Sequence, residues 1–186
     1  NNTNYSSGAT IKASIADMAI EGEGADDVMS DGTATGEEHT VAVEGIVAPR
    51  NGVTTSTDTQ GENDTIGIFK IEFEVSAFEE DFYIVDLATT TADSSTGGVE
   101  FTSPGTGLIS ATLASTADEN GGVFKIEEGE TERFTLTVTF DPADAGQYRL
   151  IIDEIWSSTN TNGITGSVVT TLPQTDFRTG YQLINN

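Results

Sequence analysis

Two segments of the chain alternate strictly between apolar and polar residues. Residues 69–76 read FKIEFEVS, and residues 134–140 read FTLTVTF. Successive side chains of a β-strand point to opposite faces, so each segment is predicted to be a strand with one dry face and one wet face. The apolar positions of these strands, with a tyrosine that follows the second one, are predicted to build the core: Phe69, Ile71, Phe73, Phe134, Leu136, Val138 and Tyr148.

Weaker alternation continues along most of the chain, between segments rich in Gly, Ser, Thr, Asn and Asp that are typical of turns. Only single helical turns are expected, at residues 15–20 and 141–145, because no longer segment has the period of an amphipathic helix. Many short strands at close spacing favour a sandwich or barrel over βαβ units. The further strands predicted are Thr10–Ile15, His39–Val47, Phe82–Ala88, Gly107–Ala114, Val123–Ile126, Gln147–Trp156, Ile164–Thr171 and Arg178–Ile184.

The segment after the second alternating strand resembles the corner before strand F of immunoglobulin-like sandwiches. Residues 144–148 read DAGQY and follow a threonine-rich strand and a proline-containing turn. In that family the tyrosine, here Tyr148, folds back and its hydroxyl bonds an upstream backbone group. Leu150 stands where antibody domains have cysteine, which fits a sandwich without disulfides. The predicted fold is an all-β, immunoglobulin-like β-sandwich with an elaborated N-terminal part.

The predicted domain organisation is an N-terminal extension followed by one β-domain. We expect the extension over residues 1–20 and a single composite sandwich over residues 21–186, because the N-terminal part alone has few strands. Thr, Ser and Gly are concentrated near residues 89–98, which mark either a soft boundary or a long loop within one sandwich.

The charge of the chain is strongly one-sided and excludes several partners. Asp and Glu number 31, Lys and Arg number 7, and the net charge is −24. Such a surface repels nucleic-acid phosphates and anionic lipid headgroups. No apolar run approaches the ~20 residues that span a bilayer, so membrane insertion is not expected. The acidity favours either solubility in high salt or binding of divalent cations, and the sequence leaves both open.

The residue inventory argues against an enzyme. The chain has no cysteine, and His39 is its only histidine. Thiol chemistry is therefore excluded, and a Ser-His-Asp triad would depend on a histidine that stands at the start of a predicted strand. Acidic pairs of the type used by glycoside hydrolases are common in the chain, but such an enzyme also needs a cleft with convergent carboxylates.

An acidic loop is the candidate calcium site. Asp58, Glu62 and Asp64 place carboxylates at short spacing around Gly61, and calcium prefers six to eight oxygen ligands. The spacing does not match the EF-hand pattern. The alternative is a solvated acidic loop without a metal.

The N-terminal strand is the candidate assembly element. Its polar beginning is followed by alternating small and aliphatic residues, and Ile11, Ala13 and Ile15 are the predicted anchors. An extended segment of this kind can complete the open sheet edge of a neighbouring copy, and head-to-tail use of that contact builds a filament. The alternatives are pairing within its own subunit, or donation of the C-terminal strand around Tyr181 and Leu183.

Residues 68–84 and 175–185 resemble segments in secreted β-sandwich surface proteins of ultra-small, candidate-phyla bacteria. They read IFKIEFEVSAFEEDFYI and TDFRTGYQLIN. The resemblance implies an extracellular address, and the chain begins at Asn1 without a leader, as a processed protein would. The predicted function is a self-assembling extracellular structural subunit of a filament or surface layer. The alternative is an adhesion or carbohydrate-binding module, with or without calcium, around Trp156, Tyr83 or Tyr181.

Overall fold

The chain divides into two compact units, Asn1–Glu44 and Gly45–Asn186. Within the described part of the chain, the one helical element is a short 3-10 turn at Arg50–Gly52. No described helix is long and apolar enough to cross a membrane. The computed structural model describes residues 9–15, 34–41, 44–103 and 105–185.

The first unit contains a two-stranded antiparallel sheet. Strands β1 (Ala9–Ile15) and β2 (Ala34–Val41) pair so that Ile11 lies opposite His39 and Ile15 opposite Ala34. The register shifts between Lys12 and Ser14. The N-terminal extension was predicted to end at residue 20, which lies outside the described residues. The helical turn predicted over residues 15–20 also lies outside them, except for Ile15.

The second unit is built from strands, and all of its main pairings are antiparallel except one. The exception is the parallel pair of the seventh and eighth strands. Its strands are β3 (Gly45–Val47), β4 (Thr54–Gln60), β5 (Ile66–Phe78), β6 (Phe82–Val85), β7 (Ala88–Thr89), β8 (Gly98–Thr102), β9 (Leu108–Ser115), β10 (Asp118–Glu119), β11 (Val123–Ile126), β12 (Thr131–Phe140), β13 (Gly146–Tyr148), β14 (Ile151–Ser157), β15 (Val168–Thr171) and β16 (Gln182–Ile184).

The long strands β5 and β12 form the centre of a five-stranded sheet. They pair along ten positions, from Thr131 opposite Ser76 to Phe140 opposite Gly67. β9 extends the sheet beyond β12, while β3 and β4 share the other side of β5. The alternating segments therefore form the strands that the pattern predicted. Their apolar positions are fully buried, as expected: Phe69, Ile71, Phe73, Val75, Phe134, Leu136, Val138 and Phe140.

A second layer covers the apolar face of this sheet. It contains a four-stranded sheet in the order β15-β14-β8-β7, a three-stranded sheet β10-β11-β6 and the pair β13-β16. Aromatic rings join the layers, with Phe73 and Phe177 centroids 6.3 Å apart and Phe124 and Phe134 centroids 5.6 Å apart. The predicted all-β sandwich is confirmed, and its immunoglobulin-like character stays a prediction.

Tyr148 forms the predicted corner. Its hydroxyl donates a hydrogen bond to the backbone carbonyl of Asp144 at 2.6 Å, and its ring packs edge-on against Phe140 at 5.1 Å. Leu150, at the position of the antibody cysteine, is fully buried. An apolar side chain therefore fills this part of the core.

The structure adds three strands that the alternation missed: β4, β8 and the two-residue strand β10. β4 reads TTSTDTQ and has no apolar residue, so it carries no period-2 signal, although threonine suits a half-exposed pleat. β8 begins at Gly98, the last residue of the segment expected to be a boundary or loop, and it pairs with β7 and β14. Residues 141–145 form no helix, because Pro142 and the corner direct the chain into β13.

Replacing Tyr148 by Phe tests the corner. The variant keeps the ring contact with Phe140 and loses the bond to Asp144. We expect the free energy of unfolding to fall by about 1 kcal/mol. For a chain of this size, that loss lowers the melting temperature by roughly 2–4 °C. Tyr181→Phe is the matched control, since no described residue bonds that hydroxyl. Equal stability of both variants in urea titrations would show that the corner contributes nothing.

Candidate functional site

β9 is an open edge of the five-stranded sheet. One side of β9 pairs with β12, and no described strand pairs with the other side. An unpaired edge presents backbone N–H and C=O groups that can bond another strand. β9 is therefore the longest open edge that the described part of the second unit offers next to its apolar core.

The core-facing side of β9 is only partly covered. Leu113 lies opposite Leu136 and is buried, whereas Ala111 opposite Val138 is half-buried. Leu108 and Ile109 follow toward the beginning of the strand and are 43% and 56% exposed. The apolar row thus continues past the second layer into solvent at one end of β9.

The backbone conformation of Gly107 determines how the chain enters β9. Its φ is +112°, and a Cβ there would lie 2.0 Å from the carbonyl oxygen of Asp141. The carbonyl of Gly107 accepts a 2.8 Å hydrogen bond from the backbone N–H of Asp141. A register shift follows at Phe140, so two aliphatic residues face one aromatic position. The exposed Leu108 and Ile109 are a product of this local geometry.

Charge is absent from β9 and β15, which are edge strands of the two main sheets, whereas the edge strand β4 contains Asp58. No charged residue occurs between Glu100 and Asp118, the segment that contains β9. None occurs between Glu154 and Asp176, the segment that contains the edge strand β15 with its exposed Val168 and Val169. Natural proteins commonly protect such edges with charged residues, especially lysine. In a chain this acidic, two uncharged edges are a specific departure from the rest of the surface.

The predicted donor residues lie in β1, beside β2. Ile11 and Ile15 have register partners in β2, and Ala13 lies at the irregularity between Lys12 and Ser14. Because the sheet has two strands, each strand has one edge without a described partner. β1 therefore pairs within its own chain and still has one edge without a described partner. Donation of β1 to another copy stays a prediction.

The acidic loop is a tight turn whose carboxylates bond their own neighbours. An Asp58 carboxylate oxygen accepts the backbone N–H of Thr59 at 2.8 Å, and an Asp64 oxygen accepts the Thr59 hydroxyl at 3.0 Å. Glu62 is exposed. Among the described residues, no group of three or more acidic or histidine side chains could hold a metal ion. Calcium binding by Asp58, Glu62 and Asp64 stays a prediction without support from this geometry.

The polar face of the five-stranded sheet neutralises its own charges. A shallow depression of about 250 Å³ is lined by residues of β4 and β5. There Lys70 Nζ lies 2.6 Å from Glu72, and the Thr54 hydroxyl donates to the same carboxylate at 3.0 Å, so the pKa of Glu72 is lowered. Arg133 pairs with Glu74 at 3.7 Å. These contacts satisfy the charged groups internally.

The aromatic residues considered for carbohydrate binding do not form one exposed platform. Trp156 and Tyr83 are half-buried, and the buried indole nitrogen of Trp156 has no described hydrogen-bond partner. Tyr181 is 61% exposed, and its ring lies beneath the Arg149 guanidinium at 4.8 Å. Tyr181 is therefore the one ring of the three that a partner can reach broadly.

Two carboxylates oppose each other on the four-stranded sheet. Glu100 of β8 and Glu154 of β14 are direct register partners, so their side chains share a face. Burial raises the pKa of Glu100, and the nearby charges of Glu154 and Asp153 raise it further. The ionised form of Glu100 is thus less favourable in the folded protein than in the unfolded chain.

Comparison of the chain with protein-family models, curated proteins and solved structures finds no match. The class of this protein is defined by its architecture, an all-β sandwich in which the edge strands β9 and β15 are uncharged and carry exposed aliphatic residues.

Replacing Glu100 by Gln tests the opposed pair. A raised pKa in the folded state means that folding opposes ionisation, so wild-type stability rises as pH falls through that pKa. We expect the variant to be more stable than wild type by about 0.5 kcal/mol at neutral pH. This advantage should shrink in mildly acid buffer. Urea unfolding at both pH values measures it, with Glu62→Gln as an exposed control; a destabilised variant at neutral pH would contradict the expectation.

Proposed function

We propose that the protein is an extracellular structural subunit that assembles with copies of itself into a filament or surface layer. In this proposal the N-terminal strand β1 of one copy adds to the β9 edge of the next copy. The observation that carries it is an uncharged sheet edge with exposed Leu108 and Ile109 in a chain of net charge −24.

Strand addition suits the chemistry of both segments. Adding a strand satisfies the open backbone groups of β9, and alternate side chains of the added strand then contact the exposed row. Ile11, Ala13 and Ile15 would extend the row that begins with Ile109. Burying the exposed part of one aliphatic side chain, such as that of Ile109, contributes about 1 kcal/mol to the free energy of association. An isolated two-stranded sheet is marginally stable, so β1 and β2 both gain from joining a larger sheet.

The positions of the two contact sites in the second unit favour head-to-tail assembly. The chain enters this unit at Gly45, opposite Phe78 at the end of β5. The exposed Leu108 lies opposite Phe140, which pairs with Gly67 near the beginning of β5. Gly45 and the exposed end of β9 are therefore at opposite ends of the five-stranded sheet. Contacts between different surfaces that do not close on themselves generate open polymers.

The acidic surface is compatible with this assembly in a saline environment. Copies with a net charge of −24 repel each other at low ionic strength. At about 1 M salt the screening length falls to about 3 Å. Contacts made by aliphatic side chains and backbone hydrogen bonds persist under such screening, while the acidic remainder of the surface keeps the copies soluble.

Replacing Ile109 by Lys tests the acceptor edge. The lysine places charge beside the open backbone groups, which opposes strand addition, and it is tolerated in the monomer because Ile109 is 56% exposed. We expect the concentration needed for polymers to rise at least about tenfold, equivalent to about 1.4 kcal/mol. Electron microscopy and sedimentation in raised salt measure polymer formation.

Two further variants complete this test. Deleting residues 1–16 should leave a folded monomer that fails to polymerise. Val47→Lys is the matched control, because Val47 is an aliphatic residue of similar exposure, 50%, on the short strand β3. Normal polymers from both Ile109→Lys and the deletion, with unchanged melting temperatures, would refute donation to β9.

A further inference from the structure

Three asparagines of the chain stand directly before a glycine: Asn51, Asn120 and Asn162. Asparagine is among the thermolabile residues, because its side chain can react with the backbone nitrogen of the next residue. A following glycine favours this reaction, since it has no Cβ to hinder the close approach of the two groups. Each pair offers the same two reacting groups, so only their surroundings in the fold can distinguish them.

The reaction needs water and no cofactor. The glycine backbone nitrogen loses its proton to hydroxide and attacks Cγ of the asparagine. A new C–N bond forms as the old one breaks, and the side-chain nitrogen takes up a proton and leaves as ammonia. Water then opens the resulting succinimide ring at either carbonyl, which gives aspartate or isoaspartate. The reaction therefore requires a backbone N–H and a side-chain amide that are not held elsewhere.

Hydrogen bonds hold both reacting groups of the Asn162–Gly163 pair. The Asn162 side-chain oxygen accepts the backbone N–H groups of Ile164 and Thr165, each at 2.9 Å, and its side-chain nitrogen donates to the Thr165 hydroxyl at 2.9 Å. The Gly163 N–H donates to the Asn160 carbonyl at 2.8 Å, and Gly163 is buried. These bonds must break before the two groups can meet.

The Asn51–Gly52 pair lies in the 3-10 turn Arg50–Gly52. The Gly52 N–H donates to the Pro49 carbonyl at 3.2 Å, so the attacking nitrogen is engaged in the turn. A Cβ on Gly52 would lie 2.9 Å from Glu74 Oε2, which shows how closely this glycine approaches β5. The turn therefore restrains the pair, although the Asn51 side chain is exposed.

The Asn120–Gly121 pair lies at the tip of the hairpin β10-β11. Gly121 and Gly122 have φ values of +64° and +80°, as in the type I′ turn that is favoured in two-residue hairpins. The Asn120 N–H donates to the Val123 carbonyl at 3.0 Å, and the Gly122 carbonyl accepts the Asp86 N–H at 2.8 Å. These bonds hold the two ends of the turn without using either reacting group.

Both reacting groups at the hairpin tip are accessible. Asn120 and Gly121 are exposed, and no described residue bonds the Asn120 side-chain amide or the Gly121 N–H. A Cβ on Gly121 or Gly122 would meet nothing within 4 Å. The peptide group between Asn120 and Gly121 can therefore rotate toward the side chain without losing a contact.

We propose that Asn120 is a site of spontaneous deamidation in the folded protein, and that the fold protects Asn51 and Asn162 from the same reaction. The inference stands apart from the proposed assembly, because it concerns residues outside β1 and β9. The modification replaces a neutral amide by a carboxylate, and the isoaspartate form also adds a methylene group to the backbone at the end of β10.

The new charge falls where carboxylates already repel each other. Position 120 follows Glu119, and the hairpin turn is bonded to the backbone of Asp86. Burial and the charge of Glu119 raise the pKa of Asp86. Deamidation therefore changes both the charge and the backbone of this hairpin with time.

Incubation of the full chain at mildly alkaline pH, followed by peptide mapping with mass spectrometry, tests this proposal. We expect Asn120 to deamidate at least about tenfold faster than Asn51 or Asn162, equivalent to about 1.4 kcal/mol in activation free energy. Aspartate and isoaspartate peptides have the same mass and separate by chromatography, so both should appear at position 120. In concentrated urea the three asparagines should react at similar rates, because the bonds that distinguish them are lost.

Thr165→Val tests the protection of Asn162 directly. The variant removes the hydroxyl that accepts the Asn162 side-chain nitrogen, so deamidation at Asn162 should become faster while the rate at Asn120 stays unchanged. Melting curves confirm that the variant folds. An unchanged rate at Asn162 would contradict the protective role of its hydrogen bonds.

The wild-type rates decide the proposal whatever the polymerisation experiments show. Equal rates at the three asparagines of the folded protein, or a faster reaction at Asn51 or Asn162, would overturn it. An equally strong preference for Asn120 in urea would also overturn it, since the local sequence rather than the fold would then set the rate. Aspartate without isoaspartate at position 120 would exclude the succinimide route.

Discussion

The cross-strand packing between β5 and β12 is the constraint on which the second unit depends. Eight apolar side chains from these two strands are fully removed from water. Their pairing puts these eight residues on one face, and a shift of one residue would expose the whole row. Because β9 pairs with β12 and β3 and β4 pair with β5, this ladder also determines which strands become edges.

The edges show how a strongly acidic protein can retain surfaces for association. Repulsion is distributed over most of the surface, whereas the segments containing β9 and β15 carry no charge. The proposed strand addition uses one of these two uncharged edges, β9. The same negative charge that limits nonspecific association would thus leave a small number of permitted contacts, so specificity comes from the contacts that repulsion prevents as well as from those that form.

Much of the fold could be predicted because burial has a regular period. The alternating residues 69–76 and 134–140 identified the central strands, and the DAGQY segment identified the hydrogen bond of Tyr148. The sequence did not reveal β4, whose stability comes from backbone bonds to β5 rather than from apolar side chains. The sequence predicted only the donor half of the candidate site. Ile11, Ala13 and Ile15 form a visible alternating pattern, but no pattern marks β9 as the receiving edge.

The amino-acid sequence by itself determined the all-β class, the core of the central ladder, the lack of thiol chemistry and the net charge. Each of these depends on residue types or on spacing between near neighbours in the chain. Only the tertiary structure decided that β9 is an edge and that Leu108 and Ile109 remain exposed. Those properties depend on which distant segments pack together, and alternation assigns a residue to a face without naming what covers it.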